Sequence, residues 1–177
     1  MAQTSSAISL VTRTQATPTL YNNLVTDITE LYTDISVKVY HDAAQSIPDS
    51  TETALAFNSE LYDTDTMHDT VTANTKITIV TPGKYNLIGY AVFNTNETGN
   101  RWLTLCINGT RHVGQSRVGA VSGDFTILNA TAEELMAAGD YVELTVYQNS
   151  GGALNVLNYT DETPTMSARL VAREPLV

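Results

Sequence analysis

The chain is poor in cysteine, in basic residues and in long apolar runs. Its one cysteine, Cys106, leaves no intrachain disulfide possible. It lies mid-strand in Arg101-Trp102-Leu103-Thr104-Leu105-Cys106-Ile107, where a small apolar packing role is expected rather than a reactive thiol. Lys and Arg total 9 against 19 Asp and Glu, a net charge of −10. An acidic domain repels a phosphate backbone, so nucleic acid is not expected as a partner. No apolar run approaches the ~20 residues that span a bilayer, so membrane insertion is not expected. The opening Met1-Ala2-Gln3-Thr4-Ser5-Ser6 has no basic-then-apolar leader. A protein made in a cytoplasm, reaching the outside by lysis or as part of a particle, is the expectation.

Catalytic patterns are also missing. There is no G-x-S-x-G elbow and no Walker or Rossmann glycine pattern. His41, His68 and His112 are far apart and do not have zinc-ligand spacing. The pairs Glu133-Glu134 and Asp161-Glu162 read as solvated charge in connections. No enzyme activity, catalytic residue, cofactor or metal is therefore expected. Asp63-Thr64-Asp65 with Asp69 begins like a calcium loop, but Met67 takes the third ligand position and no Gly follows. A loop whose Asp side chains bond the backbone is the plainer reading, with cation binding by Asp63, Asp65 and Asp69 left open.

What the chain does have is alternation. From Lys76 to Tyr147 short segments of period two are separated by Pro82-Gly83-Lys84-Tyr85, Asn108-Gly109 and Gly139-Asp140-Tyr141. Strands are expected near 36–41, 53–58, 75–80, 84–94, 101–108, 110–118, 124–130, 140–148, 153–158 and 165–172. Residues 131–138 look helical before Gly139 stops them. With no long helix between the strands, an antiparallel sandwich is expected. In 140–148, Val142, Leu144 and Val146 share a face, while Glu143, Thr145 and Gln148 are solvent types. In 84–94 both faces are apolar: Tyr85, Leu87, Gly89, Ala91 and Phe93 on one, Ile88, Tyr90 and Val92 on the other. A strand apolar on both faces needs cover on both, and another subunit is a natural source.

Residues 1–17 are polar, rich in Ser, Thr and Gln, and read as a flexible docking arm. Thr17-Pro18 resembles a helix start. Tyr21, Leu24, Ile28, Leu31 and Ile35 follow at heptad spacing, within a helix over 18–35 roughly 25 Å long at ~1.5 Å per residue. Two heptads fit either a short trimeric stalk or an amphipathic helix packed on its own domain.

An ordered series of short motifs carries a family resemblance. It comprises Gln45-Ser46-Ile47-Pro48, Thr53-Ala54-Leu55-Ala56-Phe57-Asn58 and Tyr62-Asp63-Thr64-Asp65-Thr66-Met67-His68. Thr81-Pro82-Gly83-Lys84-Tyr85 and Ile107-Asn108-Gly109-Thr110 come next. Ala138-Gly139-Asp140-Tyr141-Val142-Glu143-Leu144 and Gln148-Asn149-Ser150-Gly151-Gly152 complete it. From about Val37 to Val171 the chain resembles the C1q/TNF-like jelly roll, especially the versions in bacteriophage and prophage structural proteins. The resemblance implies a ten-strand sandwich over 36–177 and a compact homotrimer. Strand 84–94 would lie in the inner, subunit-facing sheet, with Ile88, Tyr90 and Val92 at the contact, and strand 140–148 in the outer one. No collagen-like repeat precedes the domain. Trp102 stands where such chains often carry a smaller or polar residue; it points outward if Leu103, Leu105 and Ile107 face in, and offers a contact for a partner or a host surface glycan. The expected function is a trimeric virion knob, a head-fibre or decoration protein docked to a capsid or tail protein through residues 1–17. A tail-fibre receptor-binding tip and a bacterial adhesion module are the alternatives.

Overall fold

The computed structural model describes residues 17–159 and 163–173; within the helix, the side chains of residues 27 and 30–32 are outside that description. The chain divides into two units, Met1–Thr33 and Asp34–Val177.

In the first unit α1 runs Pro18–Tyr32. Its start is the one the sequence signals. The Thr17 hydroxyl accepts the Leu20 amide at 3.2 Å, and Pro18 takes a position where no amide is needed. The Thr26 and Thr29 hydroxyls donate to the carbonyls of Asn22 and Val25, so these helix-interior threonines are satisfied locally. Tyr21, Leu24 and Ile28 are 63%, 52% and 44% exposed, with Leu20 and Val25 also exposed beside them. The Leu31 side chain and the arm up to residue 16 lie outside the described residues. Ile35 does not continue the seam. The helix ends at Tyr32, Thr33 is extended, and Ile35 is 4% exposed within the core of the second unit. Its carbonyl accepts the Leu170 amide. Strand pairing with a distant segment captured the residue that heptad spacing assigned to the helix.

The second unit is a sandwich of two antiparallel sheets. One contains β1 (Ser36–Tyr40), β2 (Gln45–Ile47), β4 (Ser59–Asp63), β6 (Gly83–Phe93), β9 (Thr126–Met136), β11 (Leu154–Val156) and β12 (Thr165–Arg173). Their order is β2-β11-β6-β12-β1-β4, with β9 also paired to β6. The other contains β3 (Thr53–Ala54), β5 (Lys76–Thr78), β7 (Asn100–Ile107), β8 (Arg111–Gly119) and β10 (Tyr141–Gln148). It runs β3-β10-β7-β8, with β5 also on β10. The alternation reads out directly as packing. Tyr85, Leu87, Ala91 and Phe93 meet Leu103, Leu105, Val142, Leu144 and Val146 in the buried core. Gly89 leaves room for Leu144, whose Cδ1 would lie 2.3 Å from a Cβ there.

The turn motifs behave as their chemistry requires. Asn108 and Gly109 have φ of 52° and 69°, the left-handed pair that joins two twisted strands in a tight hairpin. The Asn108 amide donates to Asp140 at 2.9 Å, and its carbonyl oxygen accepts the Tyr141 amide at 3.0 Å. Two turns distant in sequence are thus tied together. The bond from Asn108, with one from the Ala137 amide, holds the Asp140 carboxyl below the usual carboxylate range. Tyr85 is buried and donates to the Thr81 carbonyl at 2.6 Å; loss of water and the nearby Asp65 push its hydroxyl up to about 12.

Four expectations change. Residues 131–136 are not helical but form the second half of β9, laddered to β6 from Phe93↔Thr126 to Gly83↔Met136. That long pairing outweighs the helix preference of Ala, Glu and Leu. Glu133 and Glu134 are therefore strand residues, paired with Lys84 at 3.2 Å and Arg111 at 2.6 Å. Asp161 and Glu162 lie outside the described residues. Gln148 is not on the wet side: it is fully buried, donating to the carbonyls of Ile47 and Gly152. Finally β2 and β4 are strands that no alternation announced. The Gln45 amide links β2 across to the other sheet, donating to the Ala54 carbonyl and accepting the Ala56 amide.

Candidate functional site

Three surfaces bear on function. The first is the outward face of β6. Its even-numbered residues point away from the core. Ile88 is 43% exposed and Tyr90 half-buried, but Val92 is fully buried within its own chain. Val92 is therefore not available to a neighbouring subunit. Its register partner on β9, Ile127, is 48% exposed on the same face. Tyr62 and Leu135 are also exposed, and the register puts both on that face: Leu135 is opposite Lys84, and Tyr62 is opposite Lys38, itself opposite Ser167 beside Ile88. The face thus carries separated apolar side chains among Thr131, Asn129, Ser167 and Thr165.

The second is the outward face of the five-stranded sheet. Register sets Trp102 opposite Arg117 on β8 and Tyr147 on β10. The Arg117 guanidinium lies 3.9 Å from the indole centroid. The Tyr147 ring stacks at 4.3 Å with 24° between planes. Cation–π attraction and stacking thus tie the indole to the strands on either side. Trp102 points outward, as its parity requires, and is half-buried. Its ring is thus packed against by side chains from the two neighbouring strands. Strand pairing over long sequence separations decides this, so no local pattern could disclose it. Further along the face, Cys106 sits opposite His112, whose Nε2 is 3.4 Å from Glu52. The row does not make a nucleophile. Burial, Glu52 and Glu143 all push the Cys106 thiol up, away from the thiolate.

The third is the loop between β4 and β5. The Asp side chains bond the backbone. Asp63 accepts the amides of Asp65 and His68, at 3.1 and 2.9 Å, and Asp65 accepts the Thr81 amide at 3.1 Å. Asp69 accepts from the amides of Val71 and Thr72 and from the Thr72 hydroxyl. Among the described residues no three His, Cys, Asp or Glu side chains converge to hold a metal ion. His68 is buried, with Nδ1 3.0 Å from Glu60 Oε1. His41, His68 and His112 lie on different elements and are not brought together as a site.

The Thr72 hydroxyl, then the two amides, hold the Asp69 carboxyl at about 2, below its ordinary 3.8. A depressed folded value stabilises the loop above about pH 4, and that contribution disappears as pH falls through about 2. Asp69→Asn is expected to lower the melting temperature at neutral pH, with the gap to the parent closing between about pH 4 and 2. Melting curves across that range check it; a gap that stays constant would show that ionisation is not involved.

No protein-family model matches the sequence, and no curated protein does. Solved structures do match. The globular domain of zebrafish complement 1qA superposes with a TM-score of 0.57 at 14% identity, covering 79% of this chain and 99% of that one. Murine APRIL gives 0.60 at 10% identity over 78% of this chain and 100% of that one. Eiger TNF from S. frugiperda gives 0.55 at 13% identity over 81% and 98%. At such identities the likeness is one of architecture, and the architecture is that of the C1q/TNF-like jelly roll.

Proposed function

We propose that this chain is a structural protein of a bacteriophage virion, a homotrimeric knob on the capsid surface, of head-fibre or decoration type, docked through residues 1–17. The observation that carries the reading is the apolar surface left open on the face of β6 and β9, where Ile88 and Ile127 are 43% and 48% exposed. Scattered single apolar residues are ordinary on a protein surface. Several on one sheet face, in a fold shared with C1q and TNF domains, fit a contact between copies. Holding three sandwiches together lowers the entropic cost of joining three short helices through Tyr21, Leu24 and Ile28, a seam too short to assemble alone.

A fold does not by itself imply a role. Support for a virion role comes from the Thr-, Asn- and Ser-rich surface, the polar arm and the sequence resemblance to phage structural proteins. Electron microscopy of intact particles labelled with antibody to the sandwich tests it. Regular label over the head is expected. Label confined to tail tips would replace decoration by receptor binding. Label on host cells and none on purified particles would overturn the virion reading in favour of an adhesion module.

A further inference from the structure

An open cleft of about 470 Å³ lies where β4 and β5, from different sheets, are joined by the loop between them. That volume is in the range of small-molecule sites. Part of its lining is fixed: Met67 is buried, and the wholly buried His68 side chain is tied to Glu60. Lys76 stands over the Tyr141 ring, 4.0 Å from the centroid.

The threonines of this stretch divide into two sets. Thr64, Thr72 and Thr75 donate their hydroxyls to Asp34 or Ser36, Asp69 and Glu143. Thr66, Thr70 and Thr78 line the cleft, and among the described residues their hydroxyls have no partner within the chain. Thr66 also holds φ at +54°, a left-handed conformation that a β-branched residue adopts only under strain. The uncommitted hydroxyls therefore converge on one concavity. Around them stand two carboxylates, Glu60 and Asp69, and one ammonium, Lys76.

We propose that this cleft binds a neutral saccharide. The threonine hydroxyls, each both donor and acceptor, supply the pairing that sugar hydroxyls need. The two carboxylates disfavour an acidic sugar; Asp69 is already bonded to the amides of Val71 and Thr72, and Glu60 to the His68 ring. The site belongs to a single chain and requires neither a trimer nor a particle, so its failure would leave the virion reading standing.

The test applies the full chain to a printed array of oligosaccharides ending in glucose, galactose, mannose or N-acetylglucosamine, with sialylated and sulfated members beside them. Retention by at least one neutral member is expected, undiminished at raised salt. Thr70→Val with Thr78→Val keeps the β-branched shape and should weaken retention about tenfold, the scale of two lost hydrogen bonds. Trp102→Ala should leave it unchanged. Thr66→Gly should raise the melting temperature while weakening retention, because strain at the site is released. Melting curves establish that each variant is folded; if the double variant is not, the exposed Thr78→Val alone is read. Retention by no neutral member, by acidic members only, or equally by parent and threonine variants would overturn the proposal.

Discussion

Ile88→Asp with Ile127→Asp is expected to convert a trimer into folded monomers. Both residues are close to half exposed in the single chain, so the sandwich itself does not need them. In a trimer the two changes would bury six carboxylates at the shared face. An uncompensated buried charge costs several kcal/mol, of order 3–5 for each broken arrangement, and an interface of ordinary size does not survive several of them. Sedimentation of the purified parent should give a mass near three chains, and the variant a mass near one with an unchanged melting profile of the sandwich. Val92→Asp is the contrasting control. Val92 has no exposed surface within its own chain, so a charge there should unfold the subunit rather than separate subunits. A parent that stays monomeric at micromolar concentration would remove the trimer and the inner-sheet role of Ile88 and Tyr90 together.

On the virion reading, deletion of residues 1–16, which spares the Thr17 cap of α1, should leave assembly intact and abolish attachment to the particle. The segment is polar, has Arg13 as its one charge, and contributes no patterned apolar face. An extended Ser-, Thr- and Gln-rich segment can instead pair its backbone with an open sheet edge on another protein, where main-chain hydrogen bonds carry the affinity. Three arms on one trimer would then bind with avidity: once the first has docked, the others meet their sites at high effective concentration. The expected loss is therefore much larger than that of one arm binding alone. Co-sedimentation of truncated and full-length protein with particles lacking the knob measures it. Equal decoration by both forms would move the docking surface onto the sandwich, with the exposed face of β6 the next to test.

Local chemistry determined a good deal of this protein. A threonine before a proline started α1, because an N-cap hydroxyl and a ring without an amide act within one turn. Alternating side chains in residues 83–93 and 141–148 set which residues enter the core, because the pleat itself has period two. Asn108-Gly109 made a hairpin, because few residue pairs tolerate two left-handed positions in succession. The all-β sandwich and its main turns were legible for that reason. Register was not. Only the folded molecule decided that residues 131–136 extend along β6, that Ile35 joins the sandwich core, that Val92 is sealed inside its own chain and that Trp102 packs with Arg117 and Tyr147. The cleft between β4 and β5 belongs with these, since it joins elements from two different sheets. Propensity and alternation act over a few residues, whereas register pairs segments tens of residues apart, and its free energy comes from the packing of the whole sandwich rather than from any segment alone.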